Sequence, residues 1–404
     1  MRTNGFRFSF IALLSVLLTS YGIALPQGSK RVIKTGSALG LPFSPAVQAG
    51  DLIYVSGTMA TDAQGKLVTG TIKEQTKRTL ENIAQVLKAA GSNLDRAASV
   101  HVYLKNASDF EAMNEAYRAF WPKAPPVRTT IVAGLVLPDA LIEISLTALR
   151  RNTERKVILP AGRQPSANYS YGIQSGDTLF LAGLVARDNR ANTQITGQMA
   201  VQTKQVLDNA GAILKAAGMT HADVVSSRVY ITDTAKFQEM NTAYRTYFPQ
   251  APPARATVRA ALMNAQYAIE ITLLAVKSKD RQAITPLDEN GQPTRPNPNL
   301  SAAIRVGNRL YLSGMLGNTP DNKDDAKAQS QRTLAALGRG LKAAGFDWSH
   351  IVEGLVYLTD AKYYNAMNEA YRAQINKDFP ARATVVAGLV APDGVVEIML
   401  TAVK

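Results

Sequence analysis

The chain has 404 residues, of which 46% are hydrophobic and 19% charged, a balance that excludes disorder and leaves room for two to four domains. It contains no cysteine, which excludes a thiol nucleophile, a lipoprotein anchor and a disulfide framework. The formal charge of +14 suits anionic partners, yet Lys and Arg are scattered, with no run of five or more, so no specific nucleic-acid partner is expected.

Read from the start, Arg2 and Arg7 precede an apolar stretch over residues 8–18, and Gly22-Ile23-Ala24 supplies small residues of the kind a signal peptidase prefers. Residues 1–24 are therefore expected to be a cleaved export signal, giving a secreted or periplasmic protein with no membrane contact after cleavage. The alternative, a retained anchor, needs roughly 20 apolar residues, more than this stretch offers.

The rest of the chain repeats at an interval of 127 residues. Leu87-Lys88-Ala89-Ala90-Gly91 returns at residues 214–218 and 341–345, and Met113-Asn114 returns as Met240-Asn241 and Met367-Asn368. So long a period marks domains rather than solenoid units. The expected divisions are 30–152, 156–278 and 285–404, separated by polar, proline-bearing connections.

Within the first copy, residues 52–57 predict a strand, and residues 72–90 a helix with Leu80, Ile83 and Leu87 at helical spacing and Gly91 as its C-terminal cap. Residues 100–104 predict a second strand. Ser108 and Glu111 predict a capping box opening a second helix whose Phe110, Met113 and Tyr117 form an apolar face. Strands over 128–136 and 141–149 follow, joined at Pro138-Asp139 as a hairpin. The expected fold is α+β, a mixed sheet with two helices on one face. The other face, assigned Thr130, Val132, Ser145 and Thr147, needs cover, which three copies supply by closing as an intramolecular pseudo-threefold trimer. A monomer acting as a pseudo-trimer is therefore expected.

Two charged positions keep the repeat. Arg128, Arg255 and Arg382 follow prolines at a strand start, where a guanidinium fork can grip a carboxylate or form an ion pair within the protein. Glu143, Glu270 and Glu397 lie 15 residues further on, between aliphatic neighbours. Alternation turns each glutamate to the uncovered face, where burial makes it a candidate general acid or base. In the predicted hairpin Arg128 and Glu143 stand roughly 20 Å apart at about 3.3 Å per residue, so a shared site requires an arginine from one copy and a glutamate from its neighbour. Asn114, Asn241 and Asn368 border the second-helix stripe, where an amide can bind substrate or brace the arginine. His101, His221 and His350 occupy unrelated positions, so no metal centre and no repeated histidine triad is expected.

These segments resemble the RidA/YjgF family of enamine/imine deaminases, also called the endoribonuclease L-PSP family, in three tandem copies. The resemblance rests on the Ser-Gly strand ends (Ser56-Gly57, Ser313-Gly314), the Asn114-type helix, the Pro-x-Arg segment and the Glu in a Val/Ile-Glu-Ile strand. It implies chorismate-mutase-like domains, sites between subunits, no cofactor, and hydrolysis of 2-imino or 2-enamino acids to 2-keto acids and ammonia. The arginines then hold the substrate carboxylate and the glutamates position or activate water. Thr130, Thr257 and Thr384 stand where the family has cysteine. Copy two carries Ala182 before Gly183, and the family's N-terminal tyrosine matches Tyr169 there but Phe43 and Leu300 elsewhere, so the three sites are expected to differ. Two other readings stay open: a carboxylate-binding module without chemistry, and an endoribonuclease drawing on the positive charge.

Overall fold

The computed structural model describes residues 30–35, 40–188, 191 and 193–404; the expected leader lies outside them. The first unit contains β1 (Lys30–Ile33), β2 (Ala46–Ala49), β3 (Leu52–Thr58), α1 (Ile72–Ala89), β4 (Ala97–Leu104), α2 (Phe110–Arg118), β5 (Val127–Val132), a two-residue strand β6 (Gly134–Leu135) and β7 (Ile142–Leu149). Units two and three repeat this order from Lys156 and Arg281, so the polar connections between units each contribute an edge strand to the unit that follows. Unit two adds a short antiparallel pair, Arg187–Asp188 with Thr193–Gln194, before its first helix.

α1 forms because Ile72, Leu80, Ile83 and Leu87 recur on one buried face. Thr71 and Glu74 close a capping box at its start, and Gly91, at φ +77°, turns the chain out at its end. The box expected at Ser108 and Glu111 is absent. Ser108 lies inside a 3₁₀ turn (Ala107–Asp109) that leads into α2, and Asp109 at the N-cap makes no side-chain cap. A residue already in helical geometry cannot present the extended backbone that a cap needs.

The sheet runs β1-β2-β3-β7-β4-β5, with β4 and β5 parallel and the other neighbours antiparallel. The expected hairpin between β5 and β7 is therefore wrong: β7 inserts between β3 and β4. Arg128 aligns with Val100, and Glu143 with Tyr103, which places them two strands and three residues apart. That separation is about 14 Å rather than 20 Å. The odd offset also puts the two on opposite sheet faces. The same register corrects the uncovered face. Thr130 and Val132 align with Val102 and Leu104, which belong to the helix-side core, so Thr129 and Ile131 share the other face with Ser145 and Thr147.

Each sheet gains a last strand from another unit. Ala261–Leu262 of unit two pairs with β5, Gly388–Leu389 of unit three pairs with Ala254–Arg259 of unit two, and β6 of unit one pairs with Ala381–Val386 of unit three. The pairing thus runs from one to two to three and back to one. Where the sheets face each other, Tyr103, Tyr230 and Tyr357 are buried together, and the Tyr230 and Tyr357 hydroxyls lie 3.1 Å apart.

Candidate functional site

Each repeated glutamate lies just beyond a break in strand register: Glu397 pairs with Leu316 and Glu270 with Val185. In unit one the ladder between β3 and β7 shifts between Val55 and Thr58, which places a bulge at Ser56-Gly57; in unit three the shift falls at Ser313-Gly314. In unit two the strand ends at Leu181 and resumes at Leu184, leaving Ala182-Gly183 between. A bulge re-aims the chain and opens room beside it. Glycine is needed there, because a methyl group at Gly57, Gly183 or Gly314 would overlap the carboxyl of Glu143, Glu270 or Glu397.

Those carboxyls reach across to the neighbouring unit. The Thr130 amide donates to Glu270 Oε1 at 3.4 Å. The Thr257 amide serves Glu397 and the Thr384 amide serves Glu143 in the same way. The arginine two residues earlier acts on the same carboxyl: Arg128 on Glu270, Arg255 on Glu397 and Arg382 on Glu143. Arginine and glutamate of one unit are thus on opposite faces, while those of adjacent units come within electrostatic reach of each other at three seams.

Burial dominates the electrostatics. It pushes each glutamate from the ordinary 4.5 up to about 8, against the opposing pull of the threonine amide and the guanidinium. At neutral pH these are mainly neutral carboxylic acids, able to donate a proton. Burial also lowers each arginine, although a guanidinium keeps its charge at neutral pH.

The arginines are packed against α2 and its counterparts. Arg128, Arg255 and Arg382 each lie 4.8 Å over a tyrosine ring, of Tyr117, Tyr244 and Tyr371 respectively. Arg255 Nη2 donates to Asn241 Oδ1 and Arg382 Nη2 to Asn368 Oδ1, both at 2.7 Å. Two of the three asparagines therefore brace the guanidinium. Asn114 does not: its Oδ1 and Arg128 Nη1 are both buried without a partner. The serines at the bulges act on the backbone. Ser313 Oγ accepts the Arg255 amide and Ser56 Oγ accepts the Arg382 amide, each at 2.8 Å, pinning one unit's arginine strand to the next unit. Ala182 has no hydroxyl to do this. Tyr169 lies close enough to Arg128 for the two to interact electrostatically.

The tyrosine platforms escaped the sequence reading, in which Tyr117 counted only as part of an apolar stripe. A second cluster escaped it altogether. In a chamber of about 60 Å³ between the units, Arg228 lies 2.9 Å from His101 Nε2 and 3.2 Å from Glu353 Oε1, while the Thr401 hydroxyl donates to Glu353 at 3.3 Å. Burial and Arg228 drive His101 well below its ordinary pKa, so it stays neutral and can accept from the guanidinium. Among the described residues no group of histidine, aspartate and glutamate is placed to hold a metal ion, and no helix is long and apolar enough to cross a membrane.

Comparison with known proteins finds one family model, described as Endoribonuclease L-PSP, matching residues 35–150, 161–277 and 292–404. The mitochondrial protein mmf2 of Schizosaccharomyces pombe is 45% identical over 97 residues, spanning 24% of this chain and 76% of the relative. The 3-aminoacrylate deaminase RutC of Acinetobacter baylyi is 35% identical over 127 residues, spanning 31% of this chain and 95% of the relative. Among solved structures, a chorismatase covers 76% of this chain and 93% of its own length with a TM-score of 0.53; at 13% identity it shares the fold alone.

Proposed function

The chain belongs to the endoribonuclease L-PSP family in three tandem copies, and from that premise we propose that it is an exported enamine/imine deaminase whose working sites are the three seams. One observation carries this reading: at each seam a buried carboxyl held near pKa 8 is bonded to the neighbouring unit's threonine amide, beside that unit's arginine. The kinship with a 3-aminoacrylate deaminase supports a reaction at a carbon–nitrogen double bond or its enamine form. The apolar leader at residues 8–18 supports export.

In this reading the guanidinium fork binds the carboxylate of a 2-imino acid and fixes the imine carbon at the seam. The protonated glutamate gives its proton to the imine nitrogen, and the π electron pair moves onto that nitrogen. Water adds to the carbon and returns a proton to the glutamate. The carbinolamine then collapses: the carbon–nitrogen bond breaks, nitrogen leaves as ammonia with a proton from the carbinolamine hydroxyl, and a 2-keto acid remains. An enamine enters the same route once its carbon is protonated to give the imine.

The test is keto-acid release from an imine generated in situ. Replacing all three glutamates together, as Glu143→Gln, Glu270→Gln and Glu397→Gln, should lower the catalysed rate by roughly 10²-fold or more. An unchanged rate would sink the reading. Keto-acid binding that survives in the triple variant, with no turnover in the parent, would point instead to a carboxylate-binding module.

A further inference from the structure

The three seams are built alike but finished differently. In each unit a serine bonds to the carbonyl two residues before the neighbour's arginine: Ser170 N donates to Pro126 O at 3.0 Å, Ser301 N to Pro253 O at 3.3 Å and Ser44 N to Pro380 O at 2.9 Å. The residue before that serine therefore occupies the same place at every seam, and it is Tyr169, Leu300 or Phe43. Phe43 lies against the guanidinium, its ring centre 5.4 Å from the Arg382 carbon, whereas Tyr169 brings a phenol hydroxyl to the Arg128 seam.

The hydrogen-bond accounts differ in the same sense. At the Phe43 seam the polar groups are largely committed: Asn368 is occupied by Arg382, a second guanidinium nitrogen lies 3.8 Å from Met367 Sδ, and the Tyr364 phenol interacts with the same guanidinium, so that Nε alone is without a partner. At the Tyr169 seam Asn114 Oδ1 is a buried acceptor with nothing to accept, and Arg128 Nη1 a buried donor with nothing to receive its proton. Asn114 is 1% exposed and Arg128 6%, so water relieves neither freely. A buried polar group left in that state costs stability until a ligand supplies the missing partner. A ligand group that both donates and accepts would satisfy the pair, and the Tyr169 hydroxyl adds a third polar contact.

Resting on the deaminase reading above, we propose that the seams divide the substrates by side chain. The Arg128–Glu270 seam takes 2-imino acids bearing an amide or hydroxyl, through Asn114 and Tyr169. The Arg382–Glu143 seam takes those with hydrocarbon side chains, against Phe43. One chain thus carries two specificities joined by a common chemistry, which three identical subunits could not.

Single-seam forms of the full chain test this. Glu143→Gln with Glu397→Gln leaves the Tyr169 seam, and Glu270→Gln with Glu397→Gln leaves the Phe43 seam; the exchanges are near-isosteric with the neutral acid and should not disturb folding. Each form is assayed on the imines of glutamine and leucine, made in situ by an amino-acid oxidase. The glutamine-to-leucine ratio of kcat/KM should be at least about tenfold higher at the Tyr169 seam, the discrimination expected when a site has polar groups to pair. In that form Tyr169→Phe should lower the glutamine-imine rate by about 3- to 10-fold, one hydrogen bond's worth, and leave the leucine-imine rate unchanged. Equal ratios in the two forms overturn the proposal. Loss of both activities in both forms, or full activity in the triple Gln variant, overturns the deaminase assignment beneath it as well, and is told apart because no seam then shows glutamate-dependent turnover.

Discussion

The seams and the central chamber treat repetition in opposite ways. Every seam has the same arginine and glutamate, because each unit must give one to the neighbour behind it and the other to the neighbour ahead. In the chamber the equivalent positions diverge into His101, Arg228 and Leu355 on one level, and into Ser99, Ser226 and Glu353 on the next. Three arginines at one axis would repel, and three glutamates likewise. A single arginine facing a single glutamate and a neutral histidine is stable there, and only a chain with its units in covalent order can specify one of each. Burial works to lower Arg228, but Glu353 and the surrounding tyrosines hold it above its ordinary range.

Breaking each region should give different symptoms. Arg228→Met leaves the half-buried Glu353 without its charged partner and should cost about 1–3 kcal/mol of stability, seen as a lower Tm, with kcat/KM of the folded fraction unchanged. Adding Glu353→Leu should recover much of that loss, since replacing both charges removes the uncompensated one.

The pH profiles should also have opposite signs. The seam carboxyls are raised from 4.5 to about 8, so the folded protein holds protons that the unfolded chain has released. Their stabilisation is complete below 4.5 and is lost as pH rises through 8; the triple Gln variant should flatten the fall in Tm across that window. Catalysis that needs the protonated acid should be level below about 8 and drop above it, followed as kcat/KM. His101 is lowered below 6.5, so its contribution is present above 6.5 and fades as pH falls. His101→Gln should remove that acid-side loss in a thermal scan.

The smallest effect expected is that of Asn241→Ala. It removes one hydrogen bond to Arg255, worth about 0.5–1.5 kcal/mol, and should raise KM by up to about tenfold in a form reduced to that seam. The corresponding Asn114→Ala should not loosen Arg128, because no bond joins them.

What the sequence revealed follows the same divide. The 127-residue repeat exposed the arginines, glutamates and asparagines because all recur at that step, the bulge glycines, spaced by 126 and 131 residues, came from the family resemblance, and alternation alone put Glu143 on the face opposite Ile142 and Ile144. The β5–β7 hairpin was misread because adjacency in sequence suggests pairing, whereas β4 offers β5 a parallel partner through the α2 crossover and β7 takes the space between β3 and β4. The misreading shifted the separation of Arg128 and Glu143 without joining them. Arg228 and Glu353 left no periodic trace, and residues 125 apart betray a contact only when the fold is known. Tyr117 could have been recognised as a platform from its place one helical turn beyond Met113, since Asn114 beside it already pointed toward the arginine.

The two-residue strand Gly134–Leu135 and its counterparts are too short to stand as strands alone, yet each seals the outer edge of another unit's sheet. A unit cut free would lose that seal and offer a row of bare amides and carbonyls at Val127–Val132, beside a half-built pocket. Excised singly, it should seek two copies of itself and rebuild the ring from separate chains, trading an intramolecular neighbour for one that must be met at its own concentration.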